Sequence, residues 1–330
     1  MLIVTIGLVG ALIFGAADFL GGLASKRISA LRVTAIVAAS GLVVLVVAMP
    51  IPLLHGTWSW SAVLLGGISG VTGALAISLL YGCLAIGPMS ILSPTTAVVS
   101  AVVPMLAGLV RGERLPLLGY VAIGLALFAI VLVGFVPEKG AVRPSLKALS
   151  MAVGSGAMIG TFLILIDLTP DDSGLVPLIA NRAVNAAIML LVIGVVFLLT
   201  RVRATAKTAA LVGTGGIPIP RQSQENQGLT MAEEDLNSDA ARGGVERDRD
   251  SLWRNGLVIA LVCGGLDAFA NILLLIGLRM GELTVMSVLT ALYPAGTILL
   301  AAVVLKERIA PVQIVGLVLA ITAASMLALT

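Results

Sequence analysis

The chain has 330 residues, 59% of them hydrophobic and 11% charged, with a mean hydropathy of +1.12 and a formal net charge of +3. A soluble domain of this size needs far more surface charge, so the composition excludes that class and indicates an integral membrane protein. The basic residues stand between apolar runs and form no aromatic-interleaved patch, which excludes nucleic acid as a partner despite a pI of about 9.1.

A hydrocarbon core about 30 Å thick takes roughly 20 apolar residues per helix, because lipid offers no partner to free backbone N–H and C=O groups. Runs of that length fall at 2–23, 33–54, 60–83, 89–110, 116–136, 148–167, 175–199, 252–276, 283–304 and 309–329. They predict an all-α integral membrane protein with ten transmembrane helices. No Lys or Arg precedes Lys26, so the basic start of a cleavable signal peptide is missing and the first run is read as a span. His55, the one histidine, falls in a break between Pro50 and Gly56 and reads as a loop residue. Cys83 and Cys263 lie inside apolar runs and read as small hydrophobes. With no C-x-x-C, H-E-x-x-H or phosphate-binding glycine loop, the sequence implies no metal and no cofactor.

The stretch from Arg201 to Arg254 differs in kind, holding 16 of the chain's 37 charged residues. Between Pro218 and Asp250 there is almost no large apolar side chain and both charge signs alternate, too little buriable surface to offset the entropy of ordering. Residues 201–251 are therefore read as a disordered polar insertion, with a regulatory or partner-docking segment as the alternative.

The chain also repeats. At an offset of 194, Leu84, Gly87, Ser93, Thr96, Ala97, Glu113 and Arg114 fall on Leu278, Gly281, Ser287, Thr290, Ala291, Glu307 and Arg308. Helices three to five thus correspond to helices eight to ten, giving repeats at 1–137 and 138–330 with the polar insertion inside the second. Five helices per repeat is odd, so the second copy enters the membrane in the opposite sense. Two inverted five-helix repeats are a mark of secondary transporters, in which the halves rock about a site near the midplane.

The run Tyr81-Gly82-x-Leu84-x-x-Gly87-Pro88-x-Ser90, the helix with Ser93, Pro94 and Thr96, and the closing Gly112-Glu113-Arg114-Leu115 resemble the EamA repeat of the drug/metabolite transporter superfamily. Leu278 to Gly281, Ser287 to Pro294 and Lys306-Glu307-Arg308-Ile309 resemble it again, and Phe14 to Phe19 is similar to its first helix. The likeness spans nearly everything outside 201–251; Asp18 stands where members often carry a small or polar neutral residue. The resemblance implies a multi-pass protein of the cell (cytoplasmic) membrane, monomeric or homodimeric. It implies transport of a small polar metabolite, amino acid or amine by alternating access, export more often than uptake, with proton coupling left open. It also implies a cavity lined by helices one, three, four, six, eight and nine, and rocking of pairs three–four and eight–nine. No ATP-binding motif is present, so the energy is expected from a gradient.

An ionised carboxylate at mid-bilayer costs about 2.5–3.5 kcal/mol, so such groups usually face an interior cavity. Asp18 in helix one and Asp267 in helix eight qualify, and Asn271 lies one turn from Asp267 on the same face. They are read as a site for a cationic or amine-bearing substrate or a coupling proton, or else as protonated acids bonded within the bundle. Ser93, Thr95 and Thr96 in helix four and Thr290 and Tyr293 in helix nine form corresponding polar sets, with Pro94, Pro104 and Pro294 expected to interrupt those helices. Asn181 and Asn185 are read as interhelical glue and Arg182 as snorkelling to the interface. Glu113 with Arg114 and Glu307 with Arg308 are read as structural ion pairs fixing tight turns. Gly66/Gly70 and Gly156/Gly160 have the spacing for close helix packing.

Orientation is read two ways. The short odd-numbered connections carry eight Lys or Arg and the even-numbered ones four, which puts both termini outside, whereas the resemblance puts them in the cytoplasm. An intramembrane enzyme acting on a lipid-linked substrate would need a nucleophile, acid–base pair or metal constellation near an interface, and the separated aspartates supply none. A non-transporting scaffold using the polar loop is the third reading.

Overall fold

The computed structural model describes the chain apart from residues 52, 53, 55, 87–88, 135–143, 214–230, 307 and 330, and of residues 201–252 it describes the backbone alone. His55 and Glu307 lie outside the described residues. The described elements are helices α1 (Leu2–Ser25), α2 (Ala30–Ala48), α3 (Trp60–Ile86), α4 (Met89–Val110), α5 (Leu117–Gly134), α6 (Leu146–Asp167), α7 (Val176–Gly213), α8 (Met231–Met280), α9 (Leu283–Thr290), α10 (Tyr293–Val304) and α11 (Pro311–Ala328), with a 3-10 turn at Asp171–Ser173. Ten of the helical segments are long and apolar enough to cross a membrane.

Three boundaries differ from expectation, each for a local reason. The second helix stops at Ala48 rather than near 54, because Pro50 has no N–H with which to continue the helical hydrogen-bond ladder. The polar stretch read as disordered is helical in backbone at both ends, as α7 runs on to Gly213 and α8 begins at Met231. Extending an existing helix needs no new nucleus, and this stretch is rich in Ala, Glu and Arg; residues 214–230 lie outside the described residues. The ninth span splits into α9 and α10 at Ala291 and Leu292, while α4 continues unbroken through Pro94 and Pro104, against the expected interruption. Packing holds both prolines in line: Gly134 of α5 lies against Pro94 and Gly160 of α6 against Pro104. Pro294 sits in the first turn of α10, where a missing N–H costs nothing, so it starts a helix rather than bending one.

Packing is organised in pairs. α1 lies on α8 and α10, α3 on α6 and α7, α4 on α6 and α9, α2 on α7 and α8, and α5 on α11. Small residues make these approaches possible. Gly66 and Gly70 of α3 face the backbone of Pro177 and Asn181 in α7, and Gly156 and Gly160 of α6 face Thr96, Val99, Val103 and Pro104 in α4. The α5–α11 contact is built from Ala122, Ala126, Ala129, Ala320, Ala323 and Ala324, all buried. Without a hydrophobic drive between helices in lipid, such close backbone contact and its dispersion energy hold the bundle together.

A Cβ at Gly156 would lie 2.6 Å from the Thr96 carbonyl oxygen and 2.7 Å from Val99 Cβ, whereas one at Gly124 meets nothing within 4 Å. Gly156→Ala is expected to lose about 1–3 kcal/mol to overpacking, lowering the melting temperature in detergent by several degrees. Gly124→Ala, with only helix propensity to gain, is expected to leave it unchanged or slightly raised.

Candidate functional site

A cavity of about 220 Å³ opens between the packed pairs. Its walls are Phe14 of α1, Gly73, Ala76, Ile77 and Leu80 of α3, Ile159 and Phe162 of α6, Asn181, Arg182 and Asn185 of α7, and Asp267 and Asn271 of α8. The expected walls included helices four and nine and omitted seven; α7 in fact supplies three of the polar side chains. The reason is the packing order, since α4 is held behind α6 and α9 while α7 sits directly on α3.

Arg182 forms an ion pair with Asp267, and the two side chains are 12% and 20% exposed. This corrects the expectation that Arg182 snorkels to the interface. It stands six residues, roughly 9 Å, into α7, and a carboxylate partner within reach makes the interior position tolerable. Asn271 donates from Nδ2 to the Asp267 carbonyl at 2.7 Å. Asn181 donates to Ser69 Oγ at 2.8 Å and Ser69 donates to the Gly66 carbonyl at 2.6 Å, so Asn181 does join α7 to α3. Asn185, one turn on, differs: its amide oxygen is buried and has no hydrogen-bond partner among the described residues.

Asp18 follows Phe14 by one turn on the same face of α1. It is accessible rather than buried and is not one of the residues that line the cavity. Asp267, Tyr293 and Cys263 are all within its electrostatic reach. Gly15 makes this possible, because it lets α1 lie against the Tyr293 carbonyl and the Gly296 backbone, and Thr297 donates to the Gly15 carbonyl at 3.1 Å. Cys263 donates to the Ala17 carbonyl at 3.1 Å and Cys83 to the Leu80 carbonyl at 3.1 Å.

Of the polar sets in the fourth and ninth spans, only Tyr293 lies near the acids. Ser93, Thr96 and Thr290 do not line the cavity. Thr96 is buried and donates to the Leu92 and Ala152 carbonyls at 3.1 and 3.2 Å, a tie between α4 and α6.

At the end of the bundle formed by the α2–α3, α6–α7 and α8–α9 connections, polar groups are heavily paired. Arg111 meets Asp167 at 2.6 Å and Thr57 donates to the Asp172 carboxylate at 2.6 Å. Arg279 donates to Ser173 Oγ at 3.1 Å and the Gly174 carbonyl at 3.0 Å. Glu113 does not serve the expected pair with Arg114: its two carboxylate oxygens accept from the Leu283 and Thr284 N–H groups, each at 2.9 Å, capping α9 from the other half of the chain. Helix starts present unpartnered N–H groups, and a carboxylate there is favoured also by the helix dipole. Nothing local in the sequence announces this contact.

Glu282, at the N-cap position of the same helix, is left over. One of its carboxylate oxygens is buried without a partner among the described residues, and burial together with the adjacent Glu113 holds its carboxyl above the usual carboxylate range. A raised folded-state value means that its contribution to stability is present at low pH and lost as pH rises through that value. Glu282→Gln is therefore expected to raise the melting temperature at pH 8 and to leave it unchanged at pH 4, read by thermal unfolding in detergent at the two pH values.

Comparison with known proteins agrees with the architecture. The sequence model of the EamA-like transporter family matches residues 240–329, so this part of the chain, covering α8 from Ala240 through α11, carries an EamA domain. That is a family of membrane transporters and not of enzymes. A crystal structure described only as that of a protein aligns over 99% of this chain and 98% of its own, with a TM-score of 0.64 at 14% identity, a likeness of fold alone. No curated protein matches the chain.

Proposed function

We propose that this EamA-domain membrane transporter is a secondary carrier that moves a small amine-bearing polar metabolite across the cell membrane by alternating access, driven by a gradient and working mainly as an exporter. The observation that carries the reading is the mid-span cavity in which Asp267, Asn185 and Asn271 converge around the Arg182 ion pair, with Asp18 within electrostatic reach of Asp267. With the cavity empty Arg182 offsets the charge of Asp267, and Asp18 close to Asp267 adds a further acidic group, so the region is rich in acceptors and bears no surplus of cations. An ammonium group, with three donors and a positive charge, satisfies such a site better than an acid does. Phe14 and Phe162 add aromatic surface for the apolar part of the substrate.

The inverted-repeat reading has support in the packing. Exchanging helices one to five with six to ten turns the α1–α8 contact into α6–α3, α2–α8 into α7–α3, and α4–α6 into the contact of the ninth span with α1. The exposed Lys26, Arg27, Arg32, Lys147, Lys306 and Arg308 lie together at the end opposite the paired charges, which favours that end facing the cytoplasm and both termini outside.

Proteoliposomes with an imposed pH gradient test the function with labelled tyramine, leucine and succinate. Tyramine is expected to move, and Asp18→Asn and Asp267→Asn are each expected to slow it by at least about tenfold, the cost of losing one charged hydrogen bond. Transport of succinate alone would replace the amine assignment, and no flux of any of the three would remove the carrier reading.

A further inference from the structure

The Arg182–Asp267 pair has features that a purely structural ion pair does not need. A pair that serves only to hold helices is best sealed from any solute, whereas both of these side chains form part of the cavity wall. They also stand on different helices, Arg182 on α7, which packs on α3, and Asp267 on α8, which packs on α1. Asn185 is three residues beyond Arg182 on the same helix face, and its buried amide oxygen is an acceptor with no donor among the described residues.

We propose that Arg182 is a tethered counter-cation for Asp267. With the cavity empty, its guanidinium neutralises Asp267, and the unloaded carrier switches between its two states without an uncompensated charge at that position. When the substrate's ammonium group enters, it takes the place of the guanidinium on Asp267, and Arg182 turns to the open amide oxygen of Asn185. The cation on Asp267 is thus exchanged, never absent. A carrier built this way can return empty, because Asp267 keeps a counter-cation, and an ionised carboxylate left unpaired in the membrane interior is what makes an empty return expensive. The inference rests on the amine-transport reading of the same cavity.

The readout is the ratio of net efflux to exchange. Proteoliposomes loaded with labelled tyramine at pH 8, where protons are scarce, are diluted into buffer either lacking tyramine or containing an excess of the unlabelled amine. Net efflux requires the empty carrier to return; exchange does not. In R182Q, net efflux is expected to fall by at least about tenfold while exchange stays within about threefold of wild type. R182K, which keeps the charge, is expected to preserve both, and the R182Q/D267N double variant, slow in both modes, is expected to recover the wild-type ratio. Net efflux and exchange falling together in R182Q, or neither falling, would overturn the proposal while leaving the transporter reading in place. No tyramine flux in wild type would remove both. Should R182Q fail to reach the membrane, the double variant decides: a wild-type ratio supports the counter-cation, and a collapsed ratio overturns it.

Discussion

Hydrocarbon offers no hydrogen-bond partner and no dielectric to soften a charge, and that constraint shapes every level of this molecule. The backbone answers it by running as helices long enough to satisfy their own N–H and C=O groups. Hydroxyls answer it the same way, as Thr5, Ser78, Thr161, Thr322 and Ser325 each donate to the carbonyl four residues earlier. Charged side chains within the spans have no such local answer and must find a partner or a wet cavity. Asp267 has both, through Arg182 and the space beside it, while Asp18 is left exposed.

The same constraint explains why the bundle relies on glycine and alanine. Helices in lipid gain little from burying leucine against leucine, so the contacts that count are those in which backbones come close. Gly66 and Gly70 bring α7 onto α3, which is what carries Asn181, Arg182 and Asn185 to the cavity. Gly15 does the equivalent for α1 and α10, and so sets Asp18 beside Tyr293. Small residues that look structural in isolation therefore fix the geometry of the charged groups several turns away.

Polar pairing is unequal at the two ends of the bundle. Where α4, α6 and α8 end, Arg111, Glu113, Asp167 and Arg279 are spent on bonds between elements, and α9 starts on a carboxylate supplied by the other half. At the opposite end the lysines and arginines are exposed. The first arrangement ties helices to one another, and the second leaves positive charge unspent on such ties.

Much of the fold was legible in sequence because its signals are local. A run of twenty apolar residues needs no tertiary information to be a span. Asp18 and Asp267 stood out for the same reason, since a carboxylate amid such residues is costly whatever surrounds it. Tertiary structure decided what those charges do. Arg182 and Asp267 are 85 residues apart and Glu113 and Leu283 are 170 apart, and no spacing rule pairs groups at such separations. Sequence sent Arg182 to the interface and Glu113 to its neighbour because the nearest known partner always looks best when distant ones are invisible. Only the packing of α7 on α3 and of α4 on α9 brought the true partners within reach.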